Sequence, residues 1–171
     1  LQGIFFTGSY QTGQAVATHF TPHLPKMVLE LGGKDPAYVC QDSPIEKTCT
    51  QLIDGAFYNA GQSCCAVERI YVHQDCYQSF VDCFIEKAKT MTIGDPTSPK
   101  TYLGPLARQS QLAYLNKQLN DAKEKKATIA LDGRQHSCDT GWFFAPSVVL
   151  NTNHQMKLMT EESFGPIIGI Q

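Results

Sequence analysis

The interpretation of this chain depends on residues 57–66, which read Phe57-Tyr58-Asn59-Ala60-Gly61-Gln62-Ser63-Cys64-Cys65-Ala66. A glycine-bearing loop follows a predicted helix here and leads directly to a thiol. Because glycine lets the backbone bend sharply, the side chain of Cys64 can be presented into a cleft. A thiol in such a place can be a nucleophile, a metal ligand or a small apolar residue.

The composition is that of an ordinary globular domain. The 171 residues are 42% hydrophobic and 18% charged, which is enough for a real core. A net charge of -2 without a Lys/Arg stripe predicts no nucleic acid partner. The absence of a long apolar run and of a secretory leader predicts no membrane partner.

Seven cysteines form an odd set without CxxC spacing. This pattern predicts neither a disulfide framework nor a metal site, and free thiols favour a cytoplasmic protein. The chain begins at Leu1 rather than Met and both of its ends are strand-like, so we expect a piece of a longer protein.

Short apolar runs alternate with helical patterns along the chain. Helices are predicted at residues 11–20, from 44 to about 58, from Asp75 through Ala88 to a break at residues 94–96, at 108–126 and, as a short piece, at 154–159. Strands are predicted at residues 4–6, 27–31, 37–40, 69–72, 128–131, 143–150 and 167–170. The alternation predicts an α/β fold, a three-layer αβα arrangement with a largely parallel sheet.

Local signals make these predictions more specific. Ser43 is expected as an N-cap, with Pro44 at the first helical position and Glu46 closing a capping box. Asp75 is expected to cap the next helix. Pro146 within a predicted strand suggests a sheet edge or a bulge. Apolar residues at helical spacing predict the buried helix faces, namely Ile45, Cys49, Leu52, Ile53, Ala56 and Phe57, then Tyr77, Phe80, Val81, Phe84, Ile85 and Ala88, then Leu112, Leu115, Leu119 and Ala122.

Two further positions leave alternatives open. Gly8 and Gly13 flank a helix start that would suit a phosphate, although they would equally suit a plain strand-to-helix turn. Glu30 interrupts an apolar run. It is either a buried carboxylate, whose pKa would rise toward that of a general base, or an edge-strand carboxylate facing water.

Five pieces of sequence, in order, resemble the aldehyde dehydrogenase superfamily. Residues 59–64 resemble its cysteine signature and residues 29–34 (Leu-Glu-Leu-Gly-Gly-Lys) its glutamate signature. The other pieces are Phe6-Thr7-Gly8-Ser9 with Gly13, Gly94-Asp95-Pro96 with Leu103-Gly104-Pro105-Leu106, and Glu161-Glu162-Ser163-Phe164-Gly165-Pro166. The resemblance covers essentially the whole chain. It implies that residues 1–34 are the end of a dinucleotide-binding domain and residues 35–171 a truncated catalytic domain.

The resemblance also implies a chemistry. Cys64 would be the nucleophile that forms a thiohemiacetal and then a thioester with an aldehyde, and Glu30 would activate the water that releases the acid. Gly8, Ser9, Gly13, Leu31, Glu162 and Phe164 would contact NAD or NADP. The intact enzyme would be a homodimer or homotetramer, and this chain alone would be inactive. The family's oxyanion-binding asparagine lies upstream of this sequence and is not Asn59.

Other interpretations stay open. The chain could be a non-catalytic module, or a thiol esterase that needs no cofactor. Phe57 and Tyr58 either line an apolar substrate entrance or belong to the helix core, and Phe164 could be plain core packing. Cys65 either packs or traps Cys64 in an oxidised form, with packing expected. The remaining thiols without a motif, Cys40, Cys76, Cys83 and Cys138, are expected to be small, partly buried apolar residues.

Overall fold

The computed structural model describes residues 1–135 and 141–171. These residues form two compact units, Leu1–Gly33 and Lys34–Gln171. The predicted polar turn region at 133–141, with Cys138, lies partly outside the described residues.

The first unit is a single β-α-β element. Strand β1 (Gly3–Thr7) is followed by helix α1 (Tyr10–Phe20) and strand β2 (Lys26–Glu30). The two strands pair in parallel, with Thr7 opposite Glu30 at the carboxyl end of the pair. This confirms the two strands and the helix that were predicted here.

The second unit contains the larger sheet. Its elements are β3 (Asp35–Val39), α2 (Ile45–Phe57), β4 (Val67–Val72), α3 (Tyr77–Lys89), α4 (Gln109–Glu124), β5 (Thr128–Leu131), β6 (Ser147–Leu150), α5 (Lys157–Thr160) and β7 (Ile167–Ile170). Short 3₁₀ turns occupy Tyr58–Gly61, Gln74–Cys76 and Gly133–Gln135.

The sheet of the second unit has the order β3-β4-β7-β6-β5. Every neighbouring pair is parallel except β5 with β6. The central strand β7 is buried along its whole length, as a strand covered on both faces should be. Helix α2 packs with α3 and α4 packs with α5, and these helices contact the sheet strands. The predicted α/β class with a largely parallel sheet is confirmed.

The predicted helix faces supply much of the core. The most deeply buried members of the α2, α3 and α4 stripes include Phe57, Phe84 and Leu115, each without solvent exposure. Ile45, Leu52, Tyr77, Ile85 and Leu112 are partly buried and pack against them. Phe57 therefore belongs to the core, which resolves one of the two alternatives for it.

Three local predictions were wrong. Pro44 rather than Ser43 is the N-cap of α2, without a side-chain capping bond, and Glu46 pairs instead with Lys87 at 3.0 Å. Asp75 lies inside a 3₁₀ turn before α3, where its backbone N–H donates to the His73 ring. Strand β6 begins only after Pro146, so the proline removes no ladder hydrogen bond, and β6 lies between β7 and β5 rather than at an edge. The irregularity of the β5–β6 pair lies on β5, between Ile129 and Leu131.

Candidate functional site

The loop that carries the cysteines begins with left-handed backbone. Asn59, Ala60 and Gly61 have φ angles of 51°, 56° and 69°. Residues with a Cβ rarely adopt this region, and each one costs about 1 kcal/mol. Strained backbone is common at functional sites, and here it lies shortly before the two cysteines.

Two glycines bring this loop against the segment at residues 161–166. A Cβ on Gly61 would overlap the carbonyl oxygen of Gly165. Gly165 in turn packs against Leu115, whose Cδ1 would lie 2.6 Å from an added Cβ. Gly61 has no room for a Cβ, and a Cβ on Gly165 would displace Leu115, so the cysteine piece at residues 59–64 and the piece at residues 161–166 are in contact.

Gln62 connects the loop to a second segment. Its side-chain oxygen accepts the Ala107 backbone N–H at 2.8 Å. Its amide nitrogen donates to the carbonyl oxygens of Asn59 at 3.1 Å and Pro105 at 3.4 Å. Asn59 Nδ2 donates back to the Gln62 carbonyl at 2.9 Å. These bonds fix the loop on both sides of Gly61.

Cys64 lies in a tight turn that the Ala66 N–H closes on the Ser63 carbonyl at 3.2 Å. The cysteine is exposed. Ser63 Oγ accepts hydrogen bonds from the Tyr58 hydroxyl and from the Cys65 backbone N–H, the latter at 3.2 Å. Among the described residues, none accepts from the backbone N–H of Cys64. This N–H is therefore available to a ligand, and the exposed thiol has Cys65 as its described hydrogen-bond partner.

The other thiols differ from expectation in two places. Cys65 does not pack in the core: it is exposed, and its sulfur lies 3.7 Å from that of Cys64. Cys40 is also exposed, because it follows the end of the edge strand β3. Cys76 is buried and Cys83 partly buried, as predicted.

The segment at residues 161–166 is held by a buried carboxylate that sequence reasoning missed. Glu68 is 5% exposed. Its carboxylate accepts the backbone N–H of Ser163 at 2.7 Å and that of Phe164 at 3.0 Å. Phe164 has φ 49° and remains 38% exposed, so its ring is not core packing. The Glu68 hydrogen bonds stabilise this unusual backbone and direct the Phe164 ring outward.

Lys34 completes the arrangement around Glu68. Its Nζ contacts Glu68 Oε2 at 2.5 Å and donates to Ser163 Oγ at 2.9 Å, and both charged side chains are more than nine-tenths buried. Burial lowers the pKa of Lys34, while the carboxylate of Glu68 opposes that shift. Lys34 therefore supplies the counterion for a carboxylate that is almost fully buried.

Two glutamines of α4 complete the support of the same segment. Gln111 Nε2 donates to the Ser163 carbonyl at 2.7 Å. Gln118 accepts the Ser163 hydroxyl at 2.8 Å and donates to the Glu161 and Glu162 carbonyls at 3.2 and 3.3 Å. Buried amides that meet several backbone groups fix a loop more firmly than apolar packing alone. The backbone at and beside the half-buried Glu162 is thus held by several hydrogen bonds.

The first unit contains the other residues predicted to contact a cofactor, and they lie around the start of α1. Ser9 is the N-cap of α1, and its Oγ accepts the Thr12 N–H at 3.3 Å. An added Cβ on Gly13 would overlap Leu31 Cδ2, so glycine allows Leu31 to pack on the first turn of α1. No described residue accepts from the backbone N–H groups of Tyr10 and Gln11. The start of α1 therefore has unpaired donors and the positive end of a helix dipole, which suit a phosphate.

Glu30 ends β2 beside this helix start. Its backbone carbonyl accepts the Gly8 N–H at 3.0 Å, and its side chain is exposed. Of the two interpretations, the exposed carboxylate matches the structure within this chain, and the buried one does not.

The missed residues left a weak signal in the sequence. Glu68 alternates with Ile70 along β4, which puts both on one buried face of the strand. Gln111 and Gln118 fall within the α4 stripe that contains Leu115 and Leu119. A polar residue on an apolar face suggests a buried hydrogen bond, but its partner cannot be read from the sequence.

Within residues 1–135 and 141–171, no helix has the length and apolar character needed to cross a bilayer. The same residues include no group of three or more His, Cys, Asp or Glu side chains that could hold a metal ion.

Curated proteins are similar to this chain in sequence. The chain is 37% identical over 164 residues to the succinate-semialdehyde dehydrogenase [NADP(+)] 1 of Mycobacterium ulcerans, covering 96% of this chain and 36% of that protein. It is 36% identical over 170 residues to the D-glyceraldehyde dehydrogenase (NADP(+)) of Thermoplasma acidophilum, covering 97% of this chain and 34% of that protein. The chain therefore spans about a third of the length of these relatives.

Solved structures share the fold as well. A betaine aldehyde dehydrogenase of Staphylococcus aureus, crystallised with NAD+, is 28% identical and superposes with a TM-score of 0.95, covering 100% of this chain and 34% of that one. The sequence model of the aldehyde dehydrogenase family matches residues 1–171. The chain belongs to the aldehyde dehydrogenase family.

Proposed function

We propose that this chain carries the nucleophile and part of the cofactor site of an enzyme that oxidises an aldehyde to a carboxylic acid with NAD or NADP. One observation carries the proposal: Cys64 is an exposed thiol, with an unpaired backbone N–H, at the end of a strained loop fixed by Gly61 and Gln62. An inert cysteine would need neither the exposure nor the strain.

Cys64 would attack the carbonyl carbon of the aldehyde as a thiolate and form a thiohemiacetal. Its own backbone N–H would stabilise the oxyanion. Bound NAD or NADP supplies the hydride acceptor. Cys64 would then hold a thioester, and Glu30 would take a proton from the water that attacks it, which releases the acid and regenerates the thiol.

The residues proposed to contact the cofactor are found in each of the two units. Ser9, Gly8, Gly13 and Leu31 surround the start of α1, whose unpaired N–H groups fit a pyrophosphate. Glu162 would hold the nicotinamide ribose and Phe164 would border the nicotinamide ring. The support under these two residues, from Glu68 and the α4 glutamines, favours that role because a rigid segment orients a ligand well.

The two units would correspond to two domains. Residues 1–34 would be the end of the dinucleotide-binding domain and residues 35–171 most of the catalytic domain. The division of the structure after Gly33 supports this proposal. A cytoplasmic location and assembly into homodimers or homotetramers remain predictions for the intact enzyme.

Acylation of the purified chain tests the proposed nucleophile without a cofactor. With p-nitrophenyl acetate we expect release of one equivalent of nitrophenol and an acetyl group on the fragment at residues 59–69. The Cys64→Ser variant should lose both, whereas Cys40→Ser should lose neither. Acetylation at another thiol would contradict the assignment. Continued turnover by the wild-type chain without NAD would favour a thiol esterase instead.

A second assay addresses oxidation. We expect that the chain alone will reduce neither NAD nor NADP in the presence of succinic semialdehyde, because it spans only about a third of the length of its relatives. Cys64-dependent reduction by the purified chain would show that the rest of the enzyme is dispensable.

A further inference from the structure

The feature that the proposed chemistry does not use is the thiol of Cys65. Its sulfur lies 3.7 Å from the sulfur of Cys64, and both residues are exposed. A hydrolytic thioester mechanism needs one thiol. A second thiol at this distance and on the same turn makes a dithiol.

The backbone around the pair favours a covalent link between neighbours. The turn is closed by the Ala66 N–H on the Ser63 carbonyl, and Ser63 Oγ also accepts the Cys65 N–H. These bonds place the two cysteines on one turn with their sulfurs 3.7 Å apart, so the sulfurs need to approach by less than about 2 Å, at the expense of strain in the backbone between them.

We propose that Cys64 and Cys65 form a reversible oxidation site, in which a hydroperoxide converts the adjacent thiols to a vicinal disulfide. In the first step the Cys64 thiolate attacks the outer peroxide oxygen, the O–O bond breaks, and the alcohol or water leaves with a proton. Cys64 is then a sulfenic acid. In the second step the Cys65 sulfur attacks the Cys64 sulfur, a disulfide forms, and the hydroxyl leaves as water with the Cys65 proton.

The electrostatics of the pair agree with this division of roles. The hydrogen bond and the charge of Cys64 raise the pKa of Cys65, and the carboxylate of Asp35 adds to the effect. Cys65 therefore keeps its proton at a pH where an isolated thiol would begin to ionise. Cys65, the thiol that attacks the sulfenic acid, therefore carries the proton that the departing hydroxyl needs to leave as water.

The geometry also makes the product easy to reduce. Adjacent Cα atoms across a trans peptide are about 3.8 Å apart, whereas ordinary disulfides span about 4.4–6.8 Å. A strained disulfide has a higher reduction potential, so a cellular dithiol would reverse it. The disulfide would also protect Cys64 from irreversible oxidation to the sulfinic acid. That this protects an active enzyme depends on the function proposed above, but the chemistry of the pair does not.

Mass spectrometry tests the site independently of any activity. The purified chain is treated with hydrogen peroxide, blocked with iodoacetamide and cut with trypsin and chymotrypsin, which leaves Cys64 and Cys65 alone on the fragment at residues 59–69. We expect that fragment to lose two hydrogens, to resist alkylation, and to recover both thiols after dithiothreitol. Two alkylated thiols, or a sulfinic acid at Cys64, would overturn the proposal.

Two variants make the test specific. In Cys65→Ser the loss of two hydrogens should disappear, and Cys64 should go on to the sulfinic acid. In Cys40→Ser, which removes an exposed thiol elsewhere, the fragment should behave as in the wild type. Equal formation of sulfinic acid in the wild type and in Cys65→Ser would show that Cys65 does not resolve the oxidised state.

Phenylarsine oxide provides a second measurement that involves no oxidation. Trivalent arsenic bonds to both sulfurs and releases its oxygen as water. We expect an adduct on residues 59–69 that survives 2-mercaptoethanol and is removed by 2,3-dimercaptopropanol. An adduct that 2-mercaptoethanol removes equally from the wild type and from Cys65→Ser would mean that the two sulfurs do not act together.

Discussion

The carboxylate of Glu68 accepts a hydrogen bond from the backbone N–H of Ser163 at 2.7 Å, across 95 residues of sequence. Lys34 lies on the same carboxylate at 2.5 Å. A strand of the sheet thereby determines the position of the segment that presents Glu162 and Phe164. The arrangement is costly to disrupt, because each charge is buried against the other.

The buried pair of Lys34 and Glu68 should therefore matter to stability. Glu68→Gln leaves the Lys34 charge without a counterion. Its amide NH₂ group would also face other donors, namely the Lys34 ammonium and the backbone N–H groups of Ser163 and Phe164. We expect it to lower the free energy of unfolding by about 3 kcal/mol, measured by urea denaturation. The exposed pair formed by Glu46 and Lys87 supplies the control, since Glu46→Gln should leave the midpoint nearly unchanged. A loss no larger than that of the control would contradict the structural role.

A buried amide on α4 should behave in a similar way. Gln118→Met keeps the volume but removes bonds to the Glu161 and Glu162 carbonyls and to the Ser163 hydroxyl. We expect a loss of about 2 kcal/mol in thermal or urea unfolding, because these buried groups lose their partners. The exposed Gln109→Met on the same helix is the matched control. If both variants unfold alike, the glutamine bonds do not support the segment.

The close approach of Gly61 to Gly165 predicts a local effect on the cysteines. Gly61→Ala would place a Cβ against a carbonyl oxygen and would do so at φ 69°. We expect the turn to shift, the melting temperature to fall and the alkylation of Cys64 to slow. Gly104→Ala is a control in a neighbouring segment, where an added Cβ would meet its nearest atom at 3.5 Å. Unchanged alkylation in Gly61→Ala would show that the loop does not depend on this contact.

One ion pair predicts a pH dependence. Arg134 binds Asp132 through two nitrogens, at 2.8 and 2.6 Å, and these hydrogen bonds lower the pKa of Asp132 from its usual 3.8. A lowered carboxyl pKa in the folded state gives stability that is complete above pH 3.8 and is lost as the pH falls through the lowered value. We expect Asp132→Asn to cost about 1 kcal/mol at pH 7 and progressively less below pH 3.8.

Urea titrations at a series of pH values check this dependence. The exposed Asp42→Asn serves as the reference variant. A difference between wild type and Asp132→Asn that grows on acidification would have the wrong sign for this ion pair.

Local and periodic features could be predicted from the sequence. The α2 and α3 stripes, the β1-α1-β2 unit and the parallel sheet all follow from apolar spacing, which is a short-range property. The end of α2 and the exposed turn at Cys64 follow from glycine at position 61. Helix starts were less predictable. Asp75 is a typical capping residue, yet the chain uses a 3₁₀ turn at that point instead.

Long-range pairing could not be predicted. Lys34 was visible as part of a recognised stretch, but its partners Glu68 and Ser163 lie 34 and 129 residues away. Of the edge and the bulge expected near Pro146, the edge was wrong, because strand order depends on tertiary packing. The exposure of Cys65 was not predicted, because free cysteines are usually buried.

The central claim is that the loop presents Cys64 as a nucleophile, and competitive alkylation of the folded chain tests it most directly. The chain is exposed to a small amount of iodoacetamide, and the label on each cysteine is measured by peptide mapping. We predict that Cys64 is labelled ahead of Cys40, which is also exposed but is not preceded by left-handed backbone. Labelling of Cys64 at the same rate as Cys40, or more slowly, would contradict the account.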